Sequence, residues 1–177
     1  MIDIDELKEY SYDVIGAILA VKKELVPGLN EKVYQEGFAI ELSAQGIPFE
    51  REKAIHPVYR GRPMDTIFYL DFFCKNDIIV ELKAVKSLDK EHRAQLFNYM
   101  HIAHATIGLL VNFAPSYADI ERYYYDHDEN VILNSEGNTL RNRYYTWHLH
   151  HHAPQEKRML RFSSCRCCRR KKHVVVK

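Results

Sequence analysis

The stretch FYLDFFCKNDIIVELKAV, from Phe68 to Val85, is the part of this 177-residue chain whose reading decides the fold. Two runs rich in β-branched and aromatic residues flank the turn-forming triplet Lys75-Asn76-Asp77, which reads as an antiparallel hairpin. Folding it about Asn76 sets Cys74 against Ile78, Phe72 against Val80, Leu70 against Leu82 and Phe68 against Ala84. Each apolar residue then meets an apolar partner. A one-residue slip would turn every side chain to the other face, so the pattern specifies the register. The opposite face carries Tyr69, Asp71 and Phe73 on the first strand and Ile79, Glu81, Lys83 and Val85 on the second.

The same register places Asp71 directly across from Glu81, with Lys83 on the same face and diagonal to Asp71. Opposed residues of antiparallel strands have Cβ atoms roughly 4.5–5.5 Å apart. Two carboxylates at that separation repel unless a cation sits between them. The arrangement reads as a hard-metal site with an ammonium beside it. The plainer reading is a surface face that shows Asp, Glu and Lys to water. Against it, the neighbours Phe73, Ile79 and Val85 are apolar, which implies partial burial of the acids.

Outward from the hairpin, residues 5–25 read as one amphipathic helix, with Leu7, Val14, Ile18, Val21 and Leu25 on its apolar stripe. Pro27-Gly28 ends it. Asn30 is positioned to cap a second helix reaching about Gln45, with Gly46 as its stop. Strands are expected over about 49–59, 64–74 and 78–85, then a helix from about Asp89 to Ala103. Thr106–Phe113 is an apolar run suited to a sheet interior, and 119–133 suggests an edge strand. The order predicts an α/β fold, a central mixed β-sheet flanked by helices.

Charge divides the chain in two. Residues 1–140 hold 14 Lys and Arg against 23 Asp and Glu, whereas 141–177 hold 11 against one, Glu156. The reading is a domain over 1–140 and a basic, flexible tail over 141–177 suited to a polyanion. The tail contains His148, His150, His151 and His152, then Cys165, Cys167 and Cys168. These are soft ligands, but their spacing fits no familiar zinc module. They do not form a disulfide framework either. No apolar run reaches membrane-span length, and the acidic start Met-Ile-Asp-Ile-Asp-Glu lacks the basic, then apolar, pattern of a signal peptide. A cytoplasmic protein without membrane contact is the expectation.

Asp71 followed by Glu81-Leu82-Lys83 across a hairpin turn resembles the core motif of the PD-(D/E)XK nuclease superfamily. Gly28-Leu29-Asn30-Glu31-Lys32-Val33-Tyr34, the block Ile79–Val85 and Gln95-Leu96-Phe97-Asn98-Tyr99 are similar to the small bacterial GxxExxY family within it. Gln-x-x-x-Tyr after Glu-x-Lys also resembles the RecB-type exonuclease branch. The likeness covers about residues 5–125, with its motifs in the expected order, and Val26 stands where a glycine is usual. It implies a restriction-endonuclease-like layered fold.

The resemblance further implies that Asp71 and Glu81 bind Mg²⁺ or Mn²⁺, with the Leu82 carbonyl as a third ligand. Lys83 would orient the attacking water or stabilise charge on the phosphorane. Glu31 resembles the helix carboxylate aimed at the metal; its alternative is a favourable charge at a helix N-terminus. Tyr34 shares that helix face and is expected to pack. Gln95 and Tyr99, four apart, would contact the nucleic-acid backbone or support Lys83; their alternative is the polar flank of a helix packed by Leu96, Met100 and Ala103. His92, His101 and His104 are read as bystanders. The activity implied is a metal-dependent nuclease acting on DNA in preference to RNA, with a homodimer allowed. The competing class is a catalytically silent module that binds nucleic acid or protein, which the acidic body favours. An assembly protein using the apolar sheet is a third reading.

Overall fold

Three of the four helices begin on a side chain that accepts their free amides. In the computed structural model, which describes residues 3–140, Asp3 accepts from Asp5 and Glu6 to start α1 (Ile4–Tyr10). Asn30 accepts from Val33 to start α3 (Glu31–Ala44), and Gly46 follows that helix at φ +68°. Asp89 and His92 form a reciprocal capping box at α4 (Lys90–Ala103).

The exception corrects the single helix expected over 5–25. Ser11 is buried at φ −93°, ψ 0°, and its hydroxyl donates to the carbonyls of Leu7 and Lys8, each at 3.1 Å. Back-bonding of this kind bends a helix. A separate α2 (Tyr12–Glu24) therefore follows α1, burying Val14, Ala17, Ile18 and Val21.

The strands are β1 (Phe49–Ile55), β2 (Val58–Tyr59), β3 (Arg62–Pro63), β4 (Phe68–Cys74), β5 (Ile78–Lys83), β6 (Ile107–Asn112), β7 (Asp119–Asp126) and β8 (Val131–Asn134). Six form one sheet in the order β1-β4-β5-β6-β7-β8. β5 and β6 are parallel and every other pair is antiparallel, so the sheet is mixed. α2 and α3 cover one face, packing with Phe72, Val80, Leu82, Leu109 and Val111. α4 makes the crossover between the parallel strands and covers the other face. The result is the layered α/β architecture of restriction-endonuclease-like proteins.

Two expected strands are redrawn. The run 49–59 ends at Ile55, and β2 and β3 pair as a separate small ribbon. Arg60 at φ +51° and Gly61 at φ +78° form its tip, the positive-φ pair that a tight hairpin needs. The segment 119–133 is a hairpin and not one edge strand. Asp126 accepts from the amides of Asp128 and Glu129, Asn130 turns at φ +55°, and β8 returns along β7. The tail expected over 141–177, with its His and Cys cluster, lies outside the described residues. Among those described, no helix is long and apolar enough to cross a membrane.

α4 sits on the sheet where β6 lacks a side chain. A Cβ built on Gly108 would lie 2.3 Å from Met100 Sδ and 3.1 Å from Leu96 Cδ2. Gly108→Ala should therefore destabilise the protein by about 1–3 kcal/mol, the usual range for overpacking, as read by urea denaturation. Unchanged stability would show that α4 is loosely seated.

Candidate active site

The hairpin keeps its expected register for three pairs, Cys74–Ile78, Phe73–Ile79 and Phe72–Val80, and then opens. Beyond Phe72 the expected partners Asp71–Glu81, Leu70–Leu82 and Phe68–Ala84 do not pair. Asp71 Oδ2 instead accepts the Leu82 amide at 2.8 Å, so a side chain takes a place in the ladder that backbone would fill. On the other side of β4, Arg51 pairs with Phe72 and Lys53 with Leu70, while Glu52 between them turns to φ +50°. A non-glycine residue in that region is strained, and the strain falls level with Asp71.

The opening also changes which face the strand presents. Phe72 meets Phe38 of α3 edge-on, at 4.8 Å between centroids, whereas Phe68 lies 5.9 Å from the Tyr99 ring of α4. The expectation of one apolar face from Phe68 to Cys74 fails at Asp71, because alternation requires an unbroken ladder. The splayed strands leave a fork at the C-terminal end of β5, and the acids stand in it.

Glu81 is 1% exposed. Its Oε1 accepts from Lys83 Nζ at 2.7 Å, and its Oε2 is buried with no hydrogen-bond partner. Burial, then the Asp71 charge, push its carboxyl up to about 7 despite the Lys83 ammonium. Burial also raises Asp71, opposed by the Leu82 amide and the Lys83 charge. Burial alone would depress Lys83, but Glu81 outweighs it and holds the ammonium above its ordinary value. Glu31, the first residue of α3, is close enough for its charge to raise both Asp71 and Glu81. The fold thus brings Asp71, Glu81, Lys83 and Glu31 into one electrostatic cluster.

Tyr34 stands apart from it. Its ring stacks on Phe113 at 4.7 Å, and its hydroxyl donates to the Val26 carbonyl at 2.8 Å while accepting from the Leu29 amide. It braces the turn that leads into Glu31. Gln95 Nε2 donates to the Tyr99 hydroxyl at 3.0 Å. That pair lines a cavity of about 320 Å³ with Phe68, Glu91, Asn98 and Ile102. That hydrogen bond is internal to α4 and does not reach Lys83. Of the histidines, His92 caps α4 and His101 contacts the Tyr125 hydroxyl.

The sequence matches the family model of the PD-(D/E)XK nuclease superfamily over residues 8–123. The chain belongs to this superfamily. No curated protein and no solved structure matches it. The match spans the sheet from β1 through most of β7, with α2, α3 and α4, and so contains every residue of the cluster.

Two residues of this superfamily member escaped the sequence reading. Gln35 of α3 lies close enough to Asp71 to favour its ionised carboxylate. Its spacing of four from Glu31 was the available signal, since the two share a face of α3. Asn112 is fully buried at the end of β6. It accepts from the Val85 amide at 3.0 Å and donates to the Val85 carbonyl at 2.8 Å. The segment after Lys83 is thereby clamped. A polar residue closing the apolar run 107–111 was the clue.

The oxygen set suits a hard cation. Among the described residues no three His, Cys, Asp or Glu side chains stand close enough together to hold an ion as they are. Two interacting carboxylates, one with a buried, unpartnered oxygen, nevertheless fit a divalent metal that seeks oxygen ligands.

The raised Glu81 value fixes the sign of a pH effect. Below about 4.5 the acid is protonated both folded and unfolded and costs nothing. Between 4.5 and about 7 the unfolded chain releases a proton that the folded chain keeps, so stability falls as pH rises. Above about 7 the loss is complete. In chelator, the wild type should lose stability relative to Glu81→Gln between pH 5 and 8, on the order of 2 kcal/mol. Parallel urea curves for the two proteins would contradict it.

Proposed function

We propose that this domain is a divalent-metal-dependent nuclease that hydrolyses phosphodiester bonds, with Asp71, Glu81, Lys83 and Glu31 as its working residues. The observation that carries the reading is Glu81: a buried carboxylate with one oxygen on Lys83 and the other free, beside a second carboxylate. Within the superfamily, the Gly28–Tyr34 segment and the Ile79–Val85 block favour the GxxExxY family.

Asp71 and Glu81, with the Leu82 carbonyl, would hold Mg²⁺ or Mn²⁺. Such an ion polarises the scissile phosphate and lowers the pKa of the attacking water. Glu31 adds to the negative charge that Asp71 and Glu81 feel and would assist in holding the same ion. Lys83, held by Glu81 Oε1, orients the water and stabilises negative charge growing on the phosphorus centre. Gln95 and Tyr99 border the approach and contact the substrate backbone. DNA is the first substrate to test and RNA the second. The 11 Lys and Arg of residues 141–177 would add phosphate contacts that the acidic body lacks.

A second reading, a nucleic-acid-binding or protein-interaction module with a silent site, is favoured by one observation. The 23 acids of residues 1–140 against 14 bases repel a polyanion. The two readings part in one experiment. Mg²⁺ or Mn²⁺ should raise the melting temperature of the wild type by linkage, and Glu81→Gln should remove that rise. Lys83→Ala should keep the rise yet lose cleavage of a DNA and RNA panel. A wild type stabilised by metal that cuts none of the panel belongs to the silent class. A melting curve unmoved by metal removes the basis of the nuclease reading.

A further inference from the structure

The β2–β3 ribbon is the part of the domain least explained by its core. Among the described residues, five of the eleven exposed large hydrophobic side chains lie on it or just beyond it: Val58, Tyr59, Met64, Ile67 and Tyr69. Tyr59 is 64% exposed and Tyr69 58%. Neither ring belongs to the hydrophobic core. Residues 56–64, HPVYRGRPM, contain Arg60 and Arg62 and no acid, in a body where acids outnumber bases. The Arg60 guanidinium lies over the Tyr59 ring at 5.4 Å.

Position gives the ribbon a use. It joins β1 to the start of β4, and Asp71 is only three residues into that strand. β4 and β5 are antiparallel, so the start of β4 and the C-terminal end of β5, with Glu81 and Lys83, share one end of the sheet. Met64 N–H donating to the Pro57 carbonyl at 2.8 Å, and His56 Nδ1 3.1 Å from the Met64 carbonyl, close the base of the ribbon where β1 and β4 meet it. It therefore projects from the end of the sheet that carries the acidic cluster.

We propose that the ribbon, together with the adjoining start of β4, is a binding platform for single-stranded nucleic acid, with Tyr59 and Tyr69 stacking on unpaired bases and Arg60 and Arg62 contacting phosphates. This rests on the nuclease reading for its placement and extends it to a substrate class. Exposed aromatic rings beside guanidinium groups recognise base faces and backbone together. A duplex hides its base faces in the stack, so rings of this kind gain little from it. Charge complementarity argues against a basic or neutral partner, and the exposed rings beside the guanidinium groups favour a nucleic acid over an acidic protein.

The test is binding in chelator, without cleavage, by fluorescence anisotropy of the full chain with labelled DNA of about 20 nucleotides, single-stranded or duplex. Tyr59→Ala with Tyr69→Ala should weaken single-strand binding by about fivefold or more per ring and leave duplex binding nearly unchanged. The Tyr→Phe pair should bind as the wild type does, which separates stacking from a structural defect. Equal loss on single strand and duplex, or no loss on either, overturns the platform. No single-strand binding by the wild type overturns it as well. If the wild type cleaves while the alanine variant binds and cuts like it, the platform falls and the nuclease reading stands. If the wild type cuts nothing yet binds single strands through these tyrosines, the nuclease reading falls and the platform stands.

Discussion

A carboxylate buried inside a sheet must replace its lost hydration with charge or hydrogen bonds, and Glu81 does so at only one oxygen. Lys83 supplies that half. Asp71 stands nearby and makes matters worse, since its charge adds to the burial that already disfavours ionisation. The fold holds two acids in a place where neither is comfortable alone. A buried polar atom left without a partner needs a reason, and a cation between the two acids is one that the ligand chemistry accepts.

The local backbone is arranged around this cluster. Asp71 takes the Leu82 amide, the hairpin ladder ends at Phe72–Val80, and Glu52 turns to a positive φ at the same level. Each departure from a regular sheet is unfavourable by itself. Together they open a fork into which β5 delivers Glu81 and Lys83 and α3 delivers Glu31. Around it the supports are rigid. Tyr34 fixes the turn before α3, Asn112 clamps Val85, and α4 lies on Gly108 with no room for a side chain between.

Much of this was legible from residue order. The apolar matching about Asn76 specified the hairpin and three of its pairs, because a slip by one would have exposed the core face. Asn30, Asp89 and Gly46 marked helix ends through local hydrogen bonding and backbone freedom, which need no tertiary information. The apolar run Ile107–Val111 of β6 announced an interior strand. Glu81 and Lys83 were recognisable as a pair because strand alternation puts both on one face of β5, and Asp71 because the hairpin brings it to the same end of the sheet.

What the sequence by itself determined was therefore the local part: the elements, most of their ends, and the acids and lysine of the Asp71–Lys83 hairpin. Tertiary structure decided the rest. Periodicity assumes an unbroken ladder, so it could not foresee that Asp71 would take a backbone partner and turn Phe68 toward α4. Nor could it show Ser11 breaking a helix from within, since that depends on which carbonyls its hydroxyl reaches once buried. Gln35 and Asn112 joined the site only when distant segments were packed against Asp71 and Val85. The burial that leaves Glu81 Oε2 without a partner likewise belongs to the assembled layers, because desolvation is a property of what surrounds a group and not of the group's neighbours in the chain.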